Sequence, residues 1–245
     1  MRTLETLYNK SSCAAFFPLR GRLVAICCLT AIWCTGCASS SKTVFLASFK
    51  SDSVGSQPSH QQDVGTVSLS PGAGTITVVP TPPGSSGNWV EINHPAKPQP
   101  ETVMLCNLDQ PGPVTGTYAF LGNFYIPTGC EVVTLEFDTG TWQQPGGNVD
   151  FFHMDFMPKN NVRLDDSTTT FGVFPRDQVF TVSVELDTAA SPPIAHLLLT
   201  GGGASGSLDY NLKLGGSDQF GAVKIWMGFQ WVGKLDVNEL LVTYH

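Results

Sequence analysis

The chain has 245 residues, and its 25 glycines and 17 prolines are too many helix breakers for a helix-rich protein. A hydrophobic fraction of 42% fits a packed core, while only 13% of residues are charged and the formal net charge is −7 at pH 7. An acidic surface repels phosphate backbones, which argues against nucleic acid as a partner and against electrostatic docking on anionic lipid. In chain order, Arg20 and Arg22 first precede an apolar run over 23–33, and Cys34-Thr35-Gly36-Cys37 follows it. A basic flank, a short apolar run and small residues make a secretory signal. The run is too short to span a bilayer, which takes about 20 apolar residues. It is also apolar all round, unlike an amphipathic surface helix.

Thr35-Gly36-Cys37 resembles the lipobox of bacterial lipoproteins, with Cys34 where that motif usually has Leu. The resemblance implies that the Cys37 thiol is acylated and becomes the mature N-terminus, so that the protein meets the membrane through a lipid anchor. Ala38, rather than Asp, after that Cys implies the outer membrane. Ordinary signal cleavage near Gly36 or Ala38 is the competing reading. The expected organisation is a signal peptide over 1–36, a tether over 37–42 and one domain over 43–245. Four of the 13 basic and one of the 20 acidic residues precede Cys37, so the exported part carries a net charge of −10.

From Thr43 onward, alternating runs are separated by Gly, Pro, Asn and Asp. They predict strands over 44–49, 64–69, 75–79, 89–92, 118–125, 132–137, 148–157, 179–186, 194–199, 208–214, 220–232 and 237–244. Residues 80–87 and 94–100 read as loops. Alternation assigns faces. Phe180, Val182, Val184 and Leu186 point to the core, as do Phe152, Met154 and Phe156, with Phe151, His153 and Asp155 opposite the latter. Val223, Ile225, Met227, Phe229 and Trp231 form one face of the penultimate run, and Lys224, Trp226, Gly228 and Gln230 the other. Five of the seven Cys lie at or before Cys37. In an oxidising compartment the remaining two, Cys106 and Cys130, are natural disulfide partners, a bridge that would contribute about 3 kcal/mol.

The mature chain resembles the concanavalin A-like (laminin G-like) jelly rolls. The likeness lies in Ser48-Phe49-Lys50-Ser51-Asp52-Ser53-Val54-Gly55-Ser56-Gln57-Pro58 near the start and Gly233-Lys234-Leu235-Asp236-Val237-Asn238-Glu239-Leu240-Leu241-Val242 at the end. More closely it resembles uncharacterised proteobacterial lipoproteins of this build. The expected fold class is therefore all-β, an antiparallel jelly-roll β-sandwich. Asp52 and Asp236 occupy positions where many jelly rolls hold a structural calcium, and oxygen ligands suit that ion. A turn Asp bonded to its own backbone is the plainer account of each.

Jelly-roll glycosidases share a Glu-x-Asp-x-x-Glu strand, and Glu136-Phe137-Asp138 begins that pattern before ending in Thr141. Thr cannot protonate a leaving group, so the two-carboxylate requirement is unmet. Glu185-Leu186-Asp187 fails likewise at Ala190. His153 and Asp155 share a strand face, with Arg163 and Asp165 downstream, and read either as a base with its orienter or as a surface hydrogen-bonding pair. No Gly-x-Ser-x-Gly elbow or phosphate loop occurs, and no catalytic residue is assigned. Trp226, flanked by Lys224, Gln230 and His153, offers an aromatic platform with hydrogen-bonding neighbours, which suits the apolar faces and polar edges of sugars. Packing of Trp226 beneath a loop is the alternative. The expected function is an envelope-anchored lipoprotein whose sandwich binds carbohydrate or another ligand. A structural or protein-interaction module stands second and a glycan-degrading enzyme third.

Overall fold

The computed structural model describes residues 41–109, 116–139, 150–165, 168, 170–212 and 219–245, all within one compact unit. The signal segment, Cys37 and most of the tether lie outside the described residues. In chain order the strands are β1 (Lys42–Ala47), β2 (Thr66–Ser70), β3 (Thr75–Val79), β4 (Trp89–His94), β5 (Thr102–Asn107), β6 (Thr117–Tyr125), β7 (Val133–Thr139) and β8 (Asp150–Phe156). They continue with β9 (Asn161–Leu164), β10 (Thr170–Val173), β11 (Val179–Asp187), β12 (Ile194–Thr200), β13 (Ser205–Asn211), β14 (Phe220–Met227) and β15 (Gly233–Tyr244). All neighbouring strands pair antiparallel, and among the described residues there is no helix.

Strand pairing is continuous, in the order β2-β5-β14-β7-β8-β9-β10-β13-β12-β11-β6-β15-β4-β3, with β1 also on β15. The path nevertheless folds into two layers, because strands that are not hydrogen-bonded meet ring to ring. Phe120 of β6 packs edge-on to Phe137 of β7 at 5.4 Å, and Tyr118 of β6 to Phe220 of β14 at 5.3 Å. Phe124 of β6 stacks on Phe156 of β8 at 5.8 Å. The first layer, β2-β5-β14-β7-β8-β9, therefore faces the layer built on β6 and β11. Edge-to-face and offset pairs of this kind contribute about 0.5–1.5 kcal/mol each beyond their buried area.

The layers join through β9 and β10, and β10 reaches β13 by only two residue pairs, Gly172 with Gly206 and Val173 with Ser205. The glycines are required there for close approach: a Cβ on Gly172 would lie 2.7 Å from the Ser205 carbonyl oxygen and 2.9 Å from the Gly206 Cα. In the other layer the long β15 is irregular between Asn238 and Leu241, where Glu239 takes φ 51. The irregularity lets its first half pair with β4 and its second half with β1, while β6 runs along both.

Three strands, β5, β9 and β10, have no counterpart among the expected ones. The penultimate run also ends at Met227, so Phe229 and Gln230 sit exposed in a turn closed by the Trp231 N–H on the Gly228 carbonyl at 3.0 Å. Phe229 does not join the core face, and Phe151 is not outward but buried against Phe220, with ring centroids 5.9 Å apart.

The expected bridge between Cys106 and Cys130 is absent: both are buried free thiols. Cys106 pairs with Val223 near the start of β14, whereas Cys130 precedes β7, whose Thr134 is already opposite Trp226 near the other end. Those levels are about 10 Å or more apart along a strand, beyond the roughly 7 Å between Cα atoms that a disulfide spans. Burial raises both thiols, with the Arg176 guanidinium opposing the rise at Cys130.

Candidate functional site

The outer face of the first layer carries polar chemistry because its central strands alternate. In β14, Val223, Ile225 and Met227 enter the core, leaving Lys224 and Trp226 outward. In β7, Val133, Leu135 and Phe137 enter it, leaving Thr134 and Glu136 outward; in β8, Phe152, Met154 and Phe156 leave His153 and Asp155. Register then aligns Lys224, Glu136 and His153 in one cross-strand row, and Trp226, Thr134, Asp155 and Arg163 in the next.

Both rows are bonded across strands. Lys224 Nζ donates to Glu136 Oε2 at 3.0 Å, with only 17% and 14% of the two side chains exposed. The same ammonium lies 4.6 Å from the centroid of the Trp226 ring, within cation–π range. Trp226 itself is half-buried, and its Nε1–H is a buried donor with no acceptor among the described residues. Asp155 accepts from Thr134 Oγ1 at 2.7 Å and from Arg163 Nη2 at 2.6 Å.

At the β8–β9 end, His153 Nδ1 lies 3.0 Å from Asp150 Oδ2 and 3.7 Å from Asp165 Oδ1. Asp165 accepts the His153 backbone N–H at 3.0 Å and the Tyr210 hydroxyl from β13. Burial, then the hydrogen bond to Asp165, pushes the Tyr210 phenol up to about 12. The ligating atoms of Asp150, His153 and Asp165 all lie within 4.8 Å of one another. At the opposite edge of the same layer, a cleft of about 310 Å³ is lined by polar groups including His60, Ser68, Asn107 and Asp109.

Trp226, Lys224 and His153, expected together, do share this face. Gln230 does not, being past the end of β14. Glu136 joins the face bonded to Lys224, and Asp138 beside it is 1% exposed. Asp52 and Asp236, the expected calcium ligands, are buried in different settings. Asp52 accepts from the Ser59 N–H at 3.2 Å and from its hydroxyl, seven residues further along the chain. Asp236 lies on β15 opposite Glu91, and burial pushes it up to about 7, with Glu91 adding to the rise and Lys234 opposing it. The group of three metal-capable side chains found among the described residues is instead Asp150, His153 and Asp165. Asp150 and Tyr210 were not singled out by sequence reasoning. The spacing Asp-x-x-His was a signal for Asp150, whereas nothing local marks Tyr210, which arrives from the other layer.

No family model matches the chain, and no curated protein matches it. Among solved structures, a conserved carbohydrate esterase from the Shiga toxin-encoding bacteriophage phi24B is similar with a TM-score of 0.58 and 12% identity, covering 84% of this chain and 100% of that one. Lectin UEA-II complexed with galactose is similar at a TM-score of 0.52 and 12% identity, covering 84% and 99%. Arcelin-5, a lectin-like defence protein from Phaseolus vulgaris, is similar at 0.52 and 10%, covering 84% and 98%. At such identities the likeness is one of fold. The chain is an all-β antiparallel jelly-roll sandwich of lectin-like build.

Proposed function

We propose that this chain is a carbohydrate-binding sandwich protein of the bacterial cell envelope, anchored at the outer membrane by a lipid on Cys37. Glycan binds on the outer face of the first layer, at Trp226, Lys224, Glu136 and His153. The observation that carries this reading is Trp226, a half-buried indole on the outer face of the layer whose neighbours are a bonded Lys–Glu pair and whose N–H has no acceptor among the described residues. Pyranose rings stack on aromatic faces while their hydroxyls seek fixed polar groups. A fold shared with a galactose-complexed lectin is consistent with this assignment. Because Glu136 is committed to Lys224 and Asp138 is buried, the two carboxylates act as framework of a binding face rather than as acid and nucleophile.

A glycan array probed with the purified protein tests the reading. The expected result is a specific hit that Trp226→Ala weakens about ten-fold or more, or roughly 1.4 kcal/mol, with unchanged circular dichroism. A blank array from folded wild-type protein would replace the reading with an interaction module of the envelope.

A further inference from the structure

We propose that Asp150, His153 and Asp165 form a binding site for a divalent first-row transition-metal ion. Three donor atoms, one imidazole nitrogen and two carboxylate oxygens, lie within 4.8 Å of one another. An ion with bonds of about 2.0–2.2 Å reaches donors up to roughly 4.4 Å apart on its opposite sides, so small side-chain adjustments bring all three to it. A single ring nitrogen carries at most one proton and bonds one carboxylate well, which matches the unequal 3.0 and 3.7 Å separations from Asp150 and Asp165. A dication between them satisfies all three donors together and neutralises both carboxylates.

The β8–β9 hairpin fixes this geometry. Asp165 directly follows β9 in a left-handed conformation, φ 44, and its backbone N–H donates to the His153 carbonyl at 3.2 Å. Its carboxylate is turned back onto the His153 N–H at 3.0 Å, and the Tyr210 hydroxyl holds its second oxygen. A donor that orients a ligating carboxylate from behind is the outer-shell arrangement that metal sites use. The mixed nitrogen and oxygen set suits zinc or manganese better than calcium, which takes six to eight oxygens. The Asp150 side chain is 46% exposed, leaving the ion a path from solvent and open coordination positions. His196 and Asp209 make a contrasting pair: one carboxylate 2.7 Å from the imidazole, side chains 45% and 67% exposed, and no third donor among the described residues.

The test titrates ZnCl2, MnCl2 and CaCl2 separately into purified, chelator-stripped full-length protein in detergent, by calorimetry and by thermal unfolding. One equivalent of zinc or manganese is expected to bind and raise Tm, with calcium far weaker. Asp150→Asn, at an exposed position that leaves the core intact, is expected to lose about ten-fold or more in affinity. Tyr210→Phe is expected to lose about 10- to 100-fold through misplacement of Asp165. His196→Gln binds as wild type. Absence of stoichiometric binding by the wild type, undiminished binding by Asp150→Asn, or an equal loss in His196→Gln would each overturn the assignment.

Discussion

Asp236 is a carboxylate that the fold holds out of water, opposite Glu91 on β4, with Lys234 only partly compensating. Its ordinary value is near 3.8, and burial takes it to about 7 in the folded protein. A carboxyl raised on folding favours the native state at low pH. Its contribution is complete below about 3.8 and is lost as pH rises through about 7. The full swing is on the order of 4 kcal/mol. Asp236→Asn is therefore expected to be more stable than wild type at pH 8, with the gap closing towards pH 4. Urea unfolding at both values measures this, and a gap that does not change with pH would refute it. The sequence points to Asp236 as a calcium ligand only through the resemblance to jelly rolls, because the burial that governs this carboxyl depends on packing that no local pattern carries. The same limit governs the binding face. Trp226 and His153 are legible from the alternation of their own strands. The bond between Lys224 and Glu136 joins residues 88 apart and depends on register that no local pattern carries.

Gly172 and Gly206 make the close crossing between β10 and β13, where a side chain would meet backbone that cannot turn aside. Gly206→Ala would place a Cβ 2.8 Å from the Gly172 Cα and from the Phe171 carbonyl oxygen. A destabilisation of roughly 1–3 kcal/mol is expected, with the largest rise in amide exchange in β9, β10 and β13. Exchange unchanged there would remove the glycine pair from its assigned role. β9 and β10 have four residues each, so that even the alternation of Asn161-Val162-Arg163-Leu164 in β9 is too short to stand out from the turns around it. β5 was missed for another reason. Its outward Val103 and Leu105 are apolar and buried like inward Met104 and Cys106, so the strand lacks a polar phase. By contrast β11, which alternates buried and less buried residues from Val179 to Asp187, was read with its faces correct.

At the scale of the whole molecule, the chain from Cys37 onward carries a net charge of −10, so the proposed attachment to a membrane rests on the lipid at Cys37 rather than on charge. Cys37→Ala is expected to move the protein from the membrane to the soluble fraction after cell lysis, while the folded domain keeps its circular dichroism. Continued sedimentation with membranes would refute the lipid anchor. The route taken by β15 bears on how that domain comes into being. This strand is bonded to β1, β4 and β6, and Lys42 pairs with Tyr244, so its partners are separated from it by much of the chain. Closing loops of that size costs entropy before any contact offsets it. Folds dominated by such pairings take on the order of milliseconds to seconds to form. A polypeptide routed across a membrane, as proposed, gains from that delay an interval in which it is still a thread and can pass through a pore.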